Sequence, residues 1–366
     1  MIGPEPTETL ELDSLRVPAG YSRLTDEVAA LRGRAVLSVH DHLTLVKLPA
    51  QEGLQRLEPR VATNLGIREA QFRQALCLDE QGLPAADVFL GFFRGTMYLF
   101  ASGLERSAMC TALGVPEDAM IHEDAVVLGI DGPFAWELLA EWDTPGAIGL
   151  PYLGAYSPRD GLLVIRAGRT GEYGYMVVAP RSQADEVLDE LQVAGRSLQA
   201  RMVGAQALRH CSLENWVFDI HRDGRAGLDA LELQLTWRLD LNKRAVGLDA
   251  IRTRRAQGLR RRITAISASE EAAVGAAVTL EGRPIGSVLA CVPDLFGERW
   301  RVLAVLDLAW AQPGVEGLLV DGCPGHTHSS PWVLNISLFV NPQKHTWSTR
   351  DEVQLPDGLP WPPSTS

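Results

Sequence analysis

The sequence has few cysteines, no long apolar run and no basic leader, and each absence narrows the kind of protein it encodes. The five cysteines are an odd number and are scattered along the chain, which suits free thiols in a reducing compartment better than a disulfide framework. No apolar run approaches the roughly 20 residues that a membrane-spanning helix needs. The first residues are acidic and lack a basic segment followed by an apolar stretch, so no signal peptide is predicted. We therefore expect a cytoplasmic protein that does not enter a membrane.

Signatures of phosphate and nucleic-acid binding are missing as well. There is no G-x-G-x-x-G sequence after a predicted strand and no P-loop, so nucleotide chemistry has no support. The 34 basic and 46 acidic residues give a net charge of −12, which argues against a general nucleic-acid surface. The 46% of hydrophobic residues is ordinary for a globular protein, and 366 residues are enough for two or three domains.

Changes of composition along the chain divide it into four parts. Residues 1–34 form an acidic, proline-containing arm that leads into a helix near Leu24–Leu31. Residues 35–262 mix strands and short helices. From 263 to 345, strand-like runs alternate with glycine turns, which predicts a small β domain. Residues 346–366 are polar and proline-rich, and we expect this tail to lie on the surface.

A glycine-rich connection between two β-rich runs, Gly168–Gly174, carries Glu172. A glutamate at such a hairpin end can point its carboxylate into a cavity. Its two acceptor oxygens would there match the paired N–H donors of a 2-amino-4-oxopyrimidine, the edge of a pterin. The alternative is a solvated turn residue, since acidic side chains are mostly exposed.

Asp87 and the His40-Asp41-His42 segment are the other candidate site residues. Asp87 stands where a loop enters an apolar strand, so its carboxylate can accept a proton or stabilise a developing cation, or can simply cap a turn. His40 and His42 share one face of a strand, because side chains alternate with a period of two.

Two further segments have less specific signals. Cys323, His326 and His328 offer three potential metal ligands in six residues, but zinc sites usually have partners elsewhere in a recognisable spacing, so no metal is predicted. Six arginines lie between Arg252 and Arg262. They form either a solvated face or a binding site for anionic tails such as glutamyl carboxylates.

Taken in order, several segments between His42 and Val340 resemble the glycine cleavage T-protein (aminomethyltransferase) family of tetrahydrofolate-binding proteins. No single motif is decisive, and the resemblance depends on their order and spacing. The segments are Leu78-Asp-Glu-Gln-Gly82 with Asp87, Val127–Pro133, Arg169-Thr-Gly-Glu-Tyr-Gly174, Ser212-Leu-Glu214, Trp237, Asn242-Lys243 and Val246-Gly247.

The resemblance implies an α+β, three-domain glycine cleavage T-protein-like fold around a central folate cavity. Residues 35–262 would form two intertwined folate-binding α+β domains, and residues 263–345 a C-terminal β-barrel. The cofactor would be tetrahydrofolate or a 5-substituted or 5,10-methylene derivative. The protein would then be a folate-dependent one-carbon transferase that acts on a small molecule.

The resemblance also assigns roles to single residues. Glu172 would hold the pterin, with Tyr173 and Trp237 as further cofactor contacts. Asp87 would be the catalytic residue, orienting the folate and assisting proton transfer when N5 takes a one-carbon unit. The arginine of the family's Arg-Leu-Glu motif is Ser212 here, and Arg209, one helical turn earlier, is predicted to replace it.

Departures from the family pattern lie where the substrate should enter. The family's Asp-Val-Ser-His-Met segment reads Val39–Leu43 here, so His40, Asp41 and His42 are predicted substrate contacts. The changes argue against a lipoyl carrier protein as partner and favour a specialised or demethylation pathway. The alternatives are a non-catalytic folate-binding or scaffold protein, and the glycine cleavage aminomethyltransferase itself.

Overall fold

The computed structural model describes residues 2–12, 15–102, 106–116, 125–143, 149–224, 227–357, 359 and 361–362. Over these ranges helices and sheets are mixed, which confirms the predicted α+β class. None of the helices in this part of the chain is both long and apolar enough to cross a membrane.

The N-terminal arm is a packed β-hairpin rather than a loose surface segment. Strand β1 (Glu8–Leu12) pairs antiparallel with β2 (Leu15–Gly20), and helix α1 (Leu24–Gly33) follows where the sequence predicts a helix. The turn between them is held by the buried carboxylate of Glu27, which accepts hydrogen bonds from the backbone amides of Tyr21, Ser22 and Gly204. The hairpin is thereby attached to the body of the protein.

A four-stranded antiparallel sheet forms one half of the region from 35 to 262. Its strands are β4 (Thr44–Pro49), β5 (Phe72–Leu78), β6 (Pro84–Phe93) and β7 (Thr96–Ala101), in the spatial order β4-β7-β6-β5. Helices α2 (Ala50–Leu57) and α3 (Arg106–Leu113) contact the sheet. Buried side chains such as Val88, Leu90 and Met97 form the core of this half.

A six-stranded sheet forms the other half. Its strands are β3 (Val36–His40), β8 (Ala125–Asp131), β9 (Ala155–Tyr156), β10 (Leu163–Ile165), β11 (Gly174–Pro180) and β12 (Arg201–Met202), in the order β12-β3-β8-β11-β10-β9. Helices α4 (Ala135–Trp142) and α5 (Ala184–Ala194) cover one face, where Leu128 and Ile130 of β8 are buried.

The opposite face of the six-stranded sheet meets the four-stranded sheet. Val127 of β8 joins Phe89 of β6 and Phe100 of β7 in one apolar cluster. Because side chains on a strand alternate between faces, Gly129 and Asp131 point to the same side as Val127. The two sheets therefore pack together at one end and leave a space at the other.

The C-terminal part contains the predicted β-barrel. After helices α6 (Ala205–Glu214) and α7 (Leu248–Gln257), six strands close in the order β13-β16-β15-β14-β17-β18. They are β13 (Arg261–Ala268), β14 (Ala277–Leu280), β15 (Arg283–Pro293), β16 (Trp300–Asp307), β17 (Leu318–Val320) and β18 (Cys323–His328).

The chain beyond the barrel differs from the predicted division at residue 345. The last barrel strand ends at His328, and the following segment returns to the six-stranded sheet. Ile336, Val340 and Val353 are buried in the same core as Leu128, and the indole of Trp361 stacks on the ring of Phe134. The apolar side chains of the segment after the barrel pack it against the core of the six-stranded sheet. The overall polar composition of the segment did not predict this packing.

Candidate functional site

A cavity of about 620 Å³ occupies the space between the two sheets. The facing strands of both sheets form two of its walls. Helix α6 and the segment 217–223 form a third wall, and residues 10–12 of the N-terminal hairpin complete the lining. Its volume lies within the range of about 300–1,000 Å³ that is typical of small-molecule sites. The cavity is therefore the candidate functional site.

Asp87 lines this cavity from strand β6, on the face that also carries Phe89. Its Oδ1 atom accepts a hydrogen bond from Nη1 of the buried Arg238 at 2.6 Å. This ion pair offsets the unfavourable burial of two charges. The second oxygen, Oδ2, accepts no hydrogen bond from the described residues, so one side of the carboxylate is left for a ligand.

Asp131 is another carboxyl that lines the cavity, and sequence reasoning missed it. It ends strand β8 on the opposite wall and is buried. Its Oδ1 atom accepts a hydrogen bond from the hydroxyl of Thr170 at 3.2 Å, and Asp131 forms no ion pair with the described cationic residues. Burial raises the pKa of Asp131 to about 7; the Thr170 hydroxyl opposes the shift and the nearby charge of Glu172 adds to it.

Two glycines make room for the polar groups on this wall. A Cβ atom at Gly174 would lie 2.9 Å from Oδ1 of Asp131, and one at Gly129 would lie 2.7 Å from Nε2 of His40. Either distance is too short for a real contact. The sequence signal that could have identified this wall lies on β8, where Gly129 and Asp131 fall two residues apart on one strand face.

His40 and His42 both line the cavity, whereas Asp41 between them does not. Nε2 of His40 lies 3.0 Å from the hydroxyl oxygen of Ser38. Burial, His42 and the charge of Arg169 lower the pKa of His40 to about 3, so its imidazole is neutral at pH 7. Asp41 instead accepts a hydrogen bond from Arg181 at 2.5 Å, in a partly exposed ion pair.

Arg209 lines the cavity from helix α6, as a residue that contacts an anionic group would. Its Nη2 atom donates to Oδ1 of the buried Asp223 at 2.8 Å. Arg169, from the glycine-rich connection, also lines the cavity, is exposed, and makes no ion pair within the described chain. The two guanidinium groups add positive charge to the walls.

The structure does not bring Glu172 to the cavity. Its Oε2 atom accepts hydrogen bonds from the amide and hydroxyl of Ser337 at 2.8 and 2.6 Å. Its Oε1 atom accepts from the amide of Ile336 at 3.2 Å and from Arg32 at 3.4 Å. Burial raises its pKa against the opposing effects of Arg32 and Ser337. A pterin could not reach this carboxylate without displacing groups of the protein, so the geometry does not favour the predicted anchor.

Tyr173 and Trp237 also lie outside the cavity lining. The Tyr173 hydroxyl donates to the carbonyl of Val340 at 3.0 Å, which again holds the segment after the barrel. Trp237 is 70% exposed, with the guanidinium of Arg238 5.0 Å from its ring centre. Of the eight predicted site residues, His40, His42, Asp87 and Arg209 meet in the cavity, and the others do not.

The arginine-rich stretch does not line the cavity either. Arg254 and Arg261 form ion pairs with Asp229 and Glu232. Nor do the described residues contain a group of three or more side chains that could hold a metal ion.

Sequence comparison identifies relatives over most of the chain. The sequence profile of the GCVT N-terminal domain matches residues 8–243. An aminomethyltransferase from Mycobacterium leprae is 26% identical over 254 residues, which are 67% of this chain and 69% of the relative. An aminomethyltransferase from Frankia alni is 24% identical over 318 residues, covering 82% of this chain and 85% of the relative.

Structural comparison agrees with this result at the level of the fold. The crystal structure of the glycine cleavage system aminomethyltransferase T from Bartonella henselae superposes with a TM-score of 0.80 at 21% identity. The match covers 89% of this chain and 94% of that structure. The predicted α+β, glycine cleavage T-protein-like fold with a C-terminal barrel is thus confirmed. From the profile match over more than half of its length, the chain belongs to the glycine cleavage T-protein (aminomethyltransferase) family, of which it is a divergent member.

Proposed function

We propose that this protein transfers a one-carbon unit, methyl or methylene, between N5 of a reduced folate and a small molecule. Its family consists of folate-dependent one-carbon transferases. The observation that supports the proposal for this chain is the position of Asp87. This residue, predicted to be catalytic, lines an enclosed cavity with one carboxylate oxygen engaged by Arg238 and the other available to a ligand.

The cavity has walls suited to a reduced folate. Phe89, Phe100 and Met176 supply apolar surface against which a flat bicyclic ring would pack. Arg209 and Arg169 would bind the glutamate carboxylates by charge-assisted hydrogen bonds. Glu172 is not included in this proposed site, because Ser337 and Arg32 already occupy its oxygens.

Asp87 would act chiefly by its charge. Reduced folate would supply the nitrogen that carries the one-carbon unit. A carboxylate beside that nitrogen stabilises positive charge that develops during the transfer. The enclosing sheets and the N-terminal hairpin would limit competing reaction with water.

Binding and turnover test the proposal separately. Calorimetric titration with tetrahydrofolate, 5-methyl- and 5,10-methylene-tetrahydrofolate should give saturable heat. Mass spectrometry should then show a changed folate when methylated amines or ethers are added. Binding without conversion across these donors would favour the scaffold alternative. No binding of any reduced folate would reject the proposal.

The glycine cleavage reaction is a second candidate, favoured by the relatives that bear the name aminomethyltransferase. It predicts ammonia release from an aminomethyl-loaded lipoyl protein in the presence of tetrahydrofolate. We favour a small-molecule substrate because His40 lines the cavity at a position where the family pattern has valine. Ammonia release at a rate above that with methylated amines would reverse this preference.

A further inference from the structure

Two of the carboxyl groups that line the cavity, those of Asp87 and Asp131, lie in contrasting surroundings. Asp87 projects from the four-stranded sheet and is paired with Arg238. Asp131 projects from the facing six-stranded sheet and is paired with no described cation. Two carboxyls whose environments differ in this way can take different parts in one reaction, one as a fixed charge and the other as a proton carrier.

We propose that Asp131 is a second catalytic residue, which carries the proton during the one-carbon transfer while Asp87 provides the negative charge. This inference rests on the proposed function. Oδ1 of Asp131 accepts the hydrogen bond from Thr170, and Oδ2 has no donor among the described residues. The residue lines the cavity, so its second oxygen is the one available to a reacting group.

The groups around Asp131 account for its ability to hold a proton near neutral pH. Burial is the main cause that raises the pKa of Asp131, and the negative charge of Glu172, on the glycine-rich connection, adds to it. The thiol of Cys211, from helix α6, also faces it, and burial raises the pKa of that thiol to about 12, so Cys211 adds no charge at neutral pH. Thr170 donates its hydrogen bond and acts in the opposite direction, as a positioning residue.

The transfer step conserves atoms, electrons and protons. The bond between the attacking nitrogen and the transferred carbon forms while the bond from that carbon to its leaving atom breaks with its electron pair. The carboxyl of Asp131 donates a proton to the leaving atom, and the resulting carboxylate takes up the proton that the nitrogen loses. The residue is returned to its starting state, and neither oxidant nor reductant is needed.

The experiment uses Asp131→Asn and Thr170→Val in the full chain. Carbon-13 NMR, with the Asp131 signal assigned by its absence in D131N, should show a carboxyl that titrates near pH 7 in the wild type. In T170V the midpoint should move to higher pH, because a hydrogen bond that favours the charged form is removed. Titration in the ordinary aspartate range would overturn the proposal.

Single-turnover rates complete the test, with the folate and donor that the wild type converts. D131N should lower the rate by about 100-fold or more. It should also abolish the inflection in the plot of rate against pH, the inflection that T170V moves to higher pH. The folate Kd of D131N should stay close to that of the wild type. An unchanged rate and pH profile in D131N would overturn the role of Asp131 alone. Loss of folate binding in D131N with the rate at saturation preserved would make it a ligand contact and also overturn the role. A wild type that neither binds nor converts a reduced folate would reject the proposed function and this role with it.

Discussion

In two regions of this protein, buried carboxylates differ in what satisfies their oxygens. In the first region, which we name the Arg32 cluster, Arg32 lies between Glu172 and Glu214, and His210 and Arg301 also contact Glu214. Every carboxylate oxygen there accepts hydrogen bonds from the protein. In the cavity, Asp87 and Asp131 each have one oxygen without a donor in the described structure.

This difference separates a structural acid from a candidate functional one. The Arg32 cluster joins helices α1 and α6, the glycine-rich connection, the barrel and the segment after it. All carboxylate oxygens of the cluster accept hydrogen bonds that hold these elements together. Asp87 and Asp131 keep hydrogen-bonding capacity that the described residues do not use and that a ligand in the cavity can use. A buried carboxylate is therefore informative about function when the protein itself leaves it incompletely bonded.

The largest effect is expected from Arg32→Met. The substitution leaves Glu172 and Glu214 buried without their shared cation, which should lower the free energy of unfolding by about 3–5 kcal/mol. Urea denaturation measures the change. Arg56→Met is the matched control, because Arg56 forms an exposed pair with Glu52 that contributes about 0.5 kcal/mol or less. Equal losses in the two variants would remove the distinction between cluster and surface.

Asp87→Asn should have the largest effect on activity. Removal of a charge that stabilises the transition state is expected to reduce kcat by roughly 10²–10³-fold. The variant should also lower the midpoint of unfolding, because the buried Arg238 loses its anionic partner. Steady-state kinetics and thermal melts provide the two measurements. Full turnover with unchanged folate affinity would show that Asp87 has no catalytic role.

The two regions should respond to pH with opposite signs. Burial alone would raise the pKa of Glu214, but His210, Arg32 and Arg301 hold it at about 2. Its stabilisation is present above its unfolded pKa near 4.5 and is lost as the pH falls toward 2. Asp131, with a folded pKa of about 7 against 3.8, behaves in reverse, and its contribution becomes less favourable as the pH rises from 4 to 7.

Unfolding curves of wild type and D131N between pH 4 and 7 measure this second effect. The stability of D131N relative to the wild type should increase across the interval, because the variant has no carboxyl to ionise. A parallel pH dependence in the two proteins would mean that Asp131 titrates alike in the folded and unfolded states.

A smaller pair of effects separates Glu172 from Arg209. Glu172→Gln weakens the bond to Arg32 and should reduce stability by about 1–3 kcal/mol without changing the folate Kd. Arg209→Ala should raise the Kd by about tenfold or more, the loss of a charge-assisted hydrogen bond. Calorimetry and urea denaturation of both variants measure the split. Weaker folate binding in E172Q at unchanged stability would restore the prediction that Glu172 holds the pterin.

The smallest effect is expected from Asp41→Asn. Asp41 pairs with Arg181 in a partly exposed ion pair outside the cavity, so stability should change by about 0.5 kcal/mol or less and kcat/KM should stay the same. His42→Ala, in the cavity lining, is the comparison variant. A larger loss of kcat/KM in D41N than in H42A would show that the substrate contacts the segment on the side of Asp41, outside the cavity.

Sequence reasoning succeeded where local order and spacing determine structure. The glycine-turned strands after residue 260 predicted a small β domain. The ordered motifs predicted the family, and the resemblance implied that this domain is a barrel. Asp87 lies within strand β6 rather than at the entrance of the strand, but its side chain does line the cavity. The reasoning did not identify Asp131, because an aspartate before Gly132 reads as a turn residue, and nothing local shows that a second sheet faces it.

The sequence by itself determined the fold class, the small C-terminal β domain and the family, because these follow from short-range patterns and their order. The prediction that His40 and His42 share a strand face was wrong, because strand β3 ends at His40 and His42 lies in the following turn. Only the tertiary structure decided which acids are already satisfied. Ser337 and Arg32 reach Glu172 from positions 165 residues later and 140 residues earlier in the chain. Hydrogen-bond partners so distant leave no mark on local composition, yet they decide whether a buried carboxylate holds the fold together or remains available to a ligand.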